Sequence, residues 1–426
     1  MRPVAIALVL CLLLVAPPAE ARRTPGSFSG FAFDSCHTPS QHAMDVWLQR
    51  SPYWGVGVYI SGSNRACADE PNLTRTWVRT QTRKRWRILP LTVGRQASCW
   101  RPKDGSIEHI SSNPTGDYAQ ARKQGRHEAA KTVRASRNLG IARHSTQWLD
   151  VEHFDITKTR CRKSALAFVQ SWTRRLHQLH YRSGFYSSAS SGITILDRAR
   201  RRGEPNLPDQ IWIGEWNFVA DSNSSYISDQ AWRLQRVHQY RGGHDSTYGG
   251  VTLNIDSNWM DVGGGSRAPK PSPHCGVQID YPHYEALRRG DEGPRVKALK
   301  CLLRQQDVFP RKVRLTDRFD RRTARAVRTF QHRHPPLRES ARANRATWVA
   351  LLSAGTSPLA KVGAASNAVR RLQRALNAAT ASALPITGVY DRRTAQAVKG
   401  YQAARSLART GVTTDDVWRL LHRGRR

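Results

Sequence analysis

Four carboxylates fall where short apolar stretches end. Asp34 closes GFAFD, Asp150 and Glu152 close WLDVE, and Asp256 closes TLNID. If those stretches are strands of one parallel sheet, each acid sits at a carboxyl end, where α/β barrels gather their chemistry. Side chains alternate along a strand, so Asp150 and Glu152, two residues apart, face the same way. Crowded carboxylates repel one another, which raises the proton affinity of at least one. A protonated acid beside ionised neighbours is what glycosidic cleavage requires. Other chemistries find little in this chain. Ser187-Ser188-Ala189-Ser190 offers hydroxyls without a G-x-S-x-G elbow. There is no phosphate-binding or dinucleotide glycine pattern and no HExxH or CxxC spacing, so neither a cofactor nor a metal is expected.

Tyr59, Tyr186, Trp212, Trp216 and Tyr240 belong to the same stretches. Their flat rings could line a cleft against sugar CH faces or fill a core. Gln96 and Gln239, at or just after strand ends, are candidate partners for sugar hydroxyls. Glu215 follows IWIG and would face the same mouth, although a bulge at Gly214 would change its phase.

The elements that must position these residues are legible as alternating patterns. Strands are expected at 30–33, 55–60, 87–93, 147–151, 183–186, 210–213, 237–240 and 252–256. Helices are expected at 41–50, 74–82, 116–139, 161–181 and 191–200. Such alternation argues for a parallel sheet, and about eight strands argue for closure into a barrel. The last two connections are too short for full helices, so the barrel should be irregular. It ends at a spacer, Gly263–Pro273, GGGSRAPKPSP, whose composition is flexible and then stiff.

Beyond that spacer the chain repeats itself. Arg318–Gln331, RFDRRTARAVRTFQ, returns as Val389–Gln402, VYDRRTAQAVKGYQ. Each copy follows an amphipathic run (296–303 and 369–376) and precedes a tryptophan, Trp348 or Trp418. A unit recurring with its flanks in order is a duplicated module. Asp320 and Asp391 are placed to cap a helix whose apolar face reads Ala324, Val327, Phe330 in one copy and Ala395, Val398, Tyr401 in the other. A second spacer, 355–366, separates the copies.

Residues Met1–Ala21 read as a secretory signal, with Arg2, an apolar core from Val4 to Ala16 and Ala19-Glu20-Ala21 at the end. No other apolar run could span a membrane. Six cysteines remain after that segment, and an even number in an exported chain favours three disulfides. Cys275 and Cys301 flank the start of the first repeat and are paired as its staple. Cys36, Cys67, Cys99 and Cys161 allow three connectivities. The net charge is +36, and 31 of the 68 Lys and Arg lie from His283 onward against 10 of the 32 Asp and Glu. Such a field attracts polyanions. Without a nucleic-acid recognition signature, and with an export signal, anionic wall polymers suit it better than nucleic acid.

The order of helix, loop, Thr387-Gly388-Val389-Tyr390-Asp391, helix and Trp-containing last helix resembles the peptidoglycan-binding type 1 domain. The first copy has Asp317 in place of that glycine. The segments GFAFDSCHTPS, GVGVYISGSNRAC, WLDVE, SGFYSSASSGI, QIWIGEWN and HQYRGGHDSTYGGVTLNIDSNWMD resemble the glycoside hydrolase-like family DUF1906. That family is itself similar to the family 25 lysozymes, whose barrels carry a D-x-E strand. The resemblance implies an irregular TIM-like (β/α)8 barrel over 27–264, a linker over 265–281, and three-helix wall-binding repeats over 282–354 and 358–424. It implies Glu152 as general acid, with Asp150 orienting an acetamido group or stabilising positive charge. Asp34 and Asp256 would tune the pair, and Tyr59, Gln96, Tyr186, Trp212, Glu215 and Gln239 would meet substrate. The whole would be a secreted, monomeric, wall-associated muramidase-like hydrolase bound to peptidoglycan. The alternative is a wall protein whose barrel binds glycan without cleaving it.

Overall fold

The computed structural model describes residues 23–102 and 107–426. The expected signal, Met1–Ala21, lies outside them. Eight strands close into a barrel in chain order: β1 Phe28–Asp34, β2 Gly55–Ser61, β3 Arg87–Thr92, β4 Thr146–Asp150, β5 Arg182–Ser188, β6 Gln210–Gly214, β7 Arg236–Tyr248 and β8 Val251–Val262. From β1 to β7 every neighbouring pair is parallel. The expectation of an all-parallel sheet fails at the last strand, because β8 runs antiparallel to both β7 and β1. The cause is local. Gly249 and Gly250, at φ 59° and 81°, form a two-residue turn. Two residues can reverse a chain but cannot carry it back for a parallel crossover.

Among the described residues, five α-helices clothe the barrel: α1 Gln41–Arg50, α2 Arg75–Arg83, α3 Thr115–Asn138, α4 Thr159–Gln178 and α5 Thr194–Arg201, the last entered through a π-helical turn at Ala189–Ile193. Ser40 and Thr74 cap the first two, accepting from the amides of Ala43 and Trp77. Apolar side chains of α3 and α4 pack on the outside of the sheet. The interior is filled by Trp148 and Trp212, edge to face at 5.5 Å between ring centroids. Gly57 makes room for this plug, since a Cβ there would lie 2.6 Å from the Cβ of Asp34 and 3.2 Å from the Trp212 ring. No helix lies between β6 and β7 or between β7 and β8, so the outer face at β8 and β1 needs another cover.

The repeats provide it. The first contains α6 Pro294–Gln305, α7 Arg321–Arg333 and α8 Arg345–Ser353; the second contains α9 Asn367–Thr380, α10 Arg392–Ala404 and α11 Asp415–His422. Asp320 and Asp391 cap α7 and α10 through the amides of Thr323 and Thr394, each at 2.8 Å. Trp348 and Trp418 donate from their indole nitrogens to the carbonyls of Glu285 and Pro358 at 2.8 and 2.9 Å. The same hydrogen bonds at equivalent positions are what a duplicated module should show. The two repeats share one apolar core, and Phe31 of β1 and Trp259 of β8 pack against it. The Arg392 guanidinium stacks 4.5 Å from the Trp259 ring centroid.

One side chain pins this junction. Lys361 is buried, and its Nζ donates to the carbonyls of Leu48 at 2.7 Å, Tyr53 at 2.5 Å, Ser51 at 3.2 Å and Trp47 at 3.5 Å. Two of these carbonyls belong to the last turn of α1, the negative end of its dipole. Burial pushes the ammonium well below its ordinary pKa. The spacer at 263–273 is likewise engaged: Ser266 Oγ donates to the Gly363 carbonyl at 2.8 Å, and Arg370 to that of Pro269 at 2.8 Å. Composition suggests a free tether, but the chain is laid down between two packed bodies.

Three disulfides form: Cys36–Cys67, Cys99–Cys161 and Cys275–Cys301. The first joins the segments after β1 and β2, and the second joins the segment after β3 to the start of α4. With 31 and 62 residues enclosed, each removes about 3–4 kcal/mol of unfolded-chain entropy in the loop-closure picture.

Lys361→Ala should loosen the repeats from the barrel by about 2–4 kcal/mol, the scale of a buried donor whose acceptors are stranded. Limited proteolysis would read this as faster cleavage within 263–273. A spacer cut no faster than in the parent protein would show that Lys361 does not pin the junction.

Candidate active site

The strand ends of the barrel surround a cavity of about 360 Å³, within the range of small-ligand sites. Asp34, Asp150, Glu152 and Asp256 all line it, together with Tyr59, Gln96, Trp100, Asn64, Arg65 and the Cys36–Cys67 bridge. Asp34 is the last residue of β1 and Asp150 the last of β4, while Glu152 stands two residues beyond. Asp256 arrives differently. It is not a strand end but the middle of β8, directly paired with Asp34 across the antiparallel ladder. β7 and β8 project past the barrel as a ribbon, and β8 re-enters at Asp256. Directly opposed like charges on an antiparallel pair are unfavourable, so the pairing needs compensation.

That compensation is a hydrogen-bond frame. Asn258 donates to Asp34 Oδ1 at 2.6 Å, and Tyr59 donates its hydroxyl to Oδ2 at 3.0 Å. The Asn258 carbonyl oxygen accepts from the Trp212 indole at 2.8 Å. Gln239 donates to Asp256 Oδ2 at 3.0 Å, while its Oε1 accepts from Tyr186 and from Trp216, both at 3.0 Å. Gln96 donates to the Asp150 carbonyl at 3.0 Å and accepts from the Glu152 amide at 2.8 Å, which fixes the D-x-E backbone. Arg65 is the single cationic side chain among the lining residues. Its guanidinium is engaged by the carbonyls of Tyr59 and Gly62.

The acids are therefore crowded and almost without counter-charge, Asp34 and Asp150 buried and Glu152 and Asp256 half-buried. Desolvation, followed by repulsion from Asp256, pushes Asp34 up to about 7. Asp150 is pushed well above the usual carboxylate range by burial and then by Glu152, Asp34 and Asp256. Its Oδ1 is buried and has no hydrogen-bond partner among the described residues. Burial and then Asp256 raise Glu152, and burial raises Asp256. Groups coupled this closely hold protons in common. The cluster retains a proton near neutrality and can deliver it to an oxygen placed in the cavity.

The remaining candidates fall into different places. Tyr59 lines the cavity and also holds Asp34. Trp212 does not reach it: the ring is buried in the barrel interior, against Trp148 and Tyr186. Tyr186 and Gln239 stand behind Asp256 as its support and are not among the lining residues. The Gln96 amide, expected to meet a hydroxyl, is committed to backbone. Glu215 is also absent from the lining, and its Oε2 is buried without a described partner. Asn258 was not singled out from the sequence. It lies two residues after Asp256, on the same face of β8, and that spacing could have revealed it. No group of three or more His, Cys, Asp or Glu among the described residues is arranged to hold a metal ion.

Comparison with known proteins places this geometry. Residues 46–260 match the family model described as Rv2525c-like, glycoside hydrolase-like domain, and residues 292–351 and 365–421 each match the peptidoglycan binding domain. Among solved structures, the chain is similar to the Tat-secreted protein Rv2525c of Mycobacterium tuberculosis in complex with L-tartrate. The two are 14% identical over 54% of this chain and 95% of that one, with a TM-score of 0.36. The spore cortex lytic enzyme SleM of Clostridium perfringens is 14% identical, over 55% of this chain and 67% of that one, with a TM-score of 0.37. The modular autolysin LytC of Streptococcus pneumoniae is 13% identical, over 55% and 47%, with a TM-score of 0.34. No curated protein matches the chain. The first model spans just over half of the sequence, and the chain belongs to the Rv2525c-like, glycoside hydrolase-like family, with two peptidoglycan binding domains after its barrel.

Proposed function

We propose that this is a secreted cell-wall glycan hydrolase of the muramidase type, held on peptidoglycan by its two repeats. The observation that carries this reading is the meeting of Asp34, Asp150, Glu152 and Asp256 in one cavity at the barrel mouth, with their protons held up by burial and mutual repulsion. Glu152 would protonate the glycosidic oxygen as its bond to the anomeric carbon breaks. Asp150 would stabilise the positive charge left on that carbon or orient the neighbouring acetamido group. A water would then add at the anomeric carbon and lose its proton to a carboxylate of the cluster, restoring the enzyme. Asp34 and Asp256 would set how tightly the shared proton is held. The three disulfides, and the absence among the described residues of a helix able to cross a membrane, fit a wall address.

Glu152→Gln should abolish release of reducing ends from purified walls while leaving wall pelleting unchanged. A parent protein that pellets with walls but releases no reducing ends across a broad pH range would favour the non-cleaving glycan binder instead.

The raised acids also set a pH dependence. Asp34 has a folded pKa of about 7 against an ordinary 3.8, so the native state binds the extra proton. Its stabilising contribution is complete below about 4 and is lost as pH rises through about 7. The unfolding temperature of the parent should therefore fall as pH rises through that window. Asp34→Asn, which removes the charge and keeps one acceptor for Asn258 while the Tyr59 hydroxyl can turn to accept from the new amide, should flatten the slope. An equal slope in both proteins would mean that Asp34 is ionised throughout.

A further inference from the structure

The large hydrophobic side chains exposed among the described residues are Trp216 at 62%, Phe218 at 72%, Val219 at 51% and Tyr226 at 46%. All four lie in the one connection between β6 and β7. A protein that hides Trp47, Trp148, Trp172, Trp212, Trp348 and Trp418 almost completely does not leave three aromatic rings in water on one connection without cause.

The connection is also held at both ends. Trp216 donates from its indole nitrogen to Gln239 Oε1 at 3.0 Å, and Gln239 donates onward to Asp256 Oδ2 at 3.0 Å. The ring packs against β7, where a Cβ at Gly242 would come within 2.2 Å of it. Glycine at that position lets the ring lie there. Phe218 is fixed by its amide, which donates to the Tyr240 carbonyl at 2.9 Å. Two residues later the Ala220 carbonyl accepts from Arg392, at the start of α10 in the second repeat. The exposed rings thus stand on a segment that runs from the acidic mouth to the wall-binding module.

We propose that Trp216 and Phe218 form a binding platform for the wall glycan, taking sugar rings on the strand that leads from the second repeat into the acidic cavity. This rests on the reading of the mouth as a glycan site and adds where the rest of the strand lies. The chemistry favours a sugar chain over other occupants. A pyranose offers an apolar CH face ringed by hydroxyls, and here the aromatic rings share one connection with Asn217 and the polar run Asp221, Ser222, Asn223, Ser224 and Ser225. A second copy of the chain is disfavoured, since two bodies of net charge +36 repel.

The test uses the full chain carrying Glu152→Gln, so that ligand is not consumed, with soluble peptide-free peptidoglycan strands as the probe. Titration calorimetry should show Trp216→Ala with Phe218→Ala binding at least about tenfold more weakly. Trp216→Phe, which keeps a ring and loses the N–H, should stay within about threefold of the parent. An unchanged Kd in the double variant, or no strand binding by the parent, overturns the platform. So does a parent dimer, seen by sedimentation, that the double variant abolishes. The two proposals fail separately. Strand binding that needs the rings, with no reducing ends released by the Glu152 protein, removes the hydrolase and keeps the platform. Release with a ring-independent Kd does the reverse.

Discussion

Four carboxyl groups with one committed arginine nearby cannot all ionise, and much of the barrel is arranged around that constraint. In water the repulsion would be screened and the acids would separate. Here two of them are fixed as cross-strand neighbours, Asp34 on β1 and Asp256 on β8. The other two are fixed by a backbone that Gln96 grips at both ends. Below them, the Trp148–Trp212 plug supplies an apolar floor that keeps water from relieving the charge. Each rigid element raises the free energy of the ionised state, so the site stores proton affinity in its packing. The frame of Asn258, Tyr59 and Gln239 supplies donors to Asp34 and Asp256. Asp150 Oδ1 is left without one, so burial and its three acidic neighbours act on that carboxyl with no donor to offset them.

The antiparallel last strand is what makes this crowding possible. A parallel eighth strand would present only its terminal residues at the mouth. By turning at Gly249-Gly250 above the barrel and running back in, β8 lays a mid-strand acid beside Asp34 and an asparagine two residues deeper. The same reversal omits a crossover helix and leaves Phe31 and Trp259 uncovered. The second repeat fills that gap, with Lys361 inserted among carbonyls at the end of α1 and Arg392 stacked on Trp259. Site and docking thus share one topological cause.

Much of this was legible in the chain because its signals are local. The seven parallel strands, the helices between them and the caps at Asp320 and Asp391 follow from period, composition and capping chemistry. The acids are marked by their place at the ends of apolar runs. For Asp256 that rule reached the right place for a different reason: TLNID ends an apolar run in sequence while β8 continues through it. What sequence left unread was where each polar side chain spends its hydrogen bonds. Gln96 and Gln239 have the chemistry to meet a sugar, but the nearest partners, set by long-range pairing, are the Asp150 carbonyl and Asp256. Trp212 carries the same period as a cleft aromatic, and only barrel closure around Gly57 shows that it fills the interior. The spacer at 263–273 reads as flexible because composition reports what a segment does when nothing holds it, and here Gly363 and Arg370 do.

A docked tail changes what tethering can accomplish. Modules on a flexible linker raise the local concentration of substrate without choosing its direction. With the second repeat fixed on the β1–β8 face, a glycan bound there as proposed would approach the acids along a limited set of paths. The β6–β7 connection, bound at Gln239 and at Arg392, lies between the two. On the proposed reading, the orientation entropy that a bound polymer would otherwise lose at the cavity would be partly removed beforehand by the fold, and a strand delivered in register would be favoured over one captured at random.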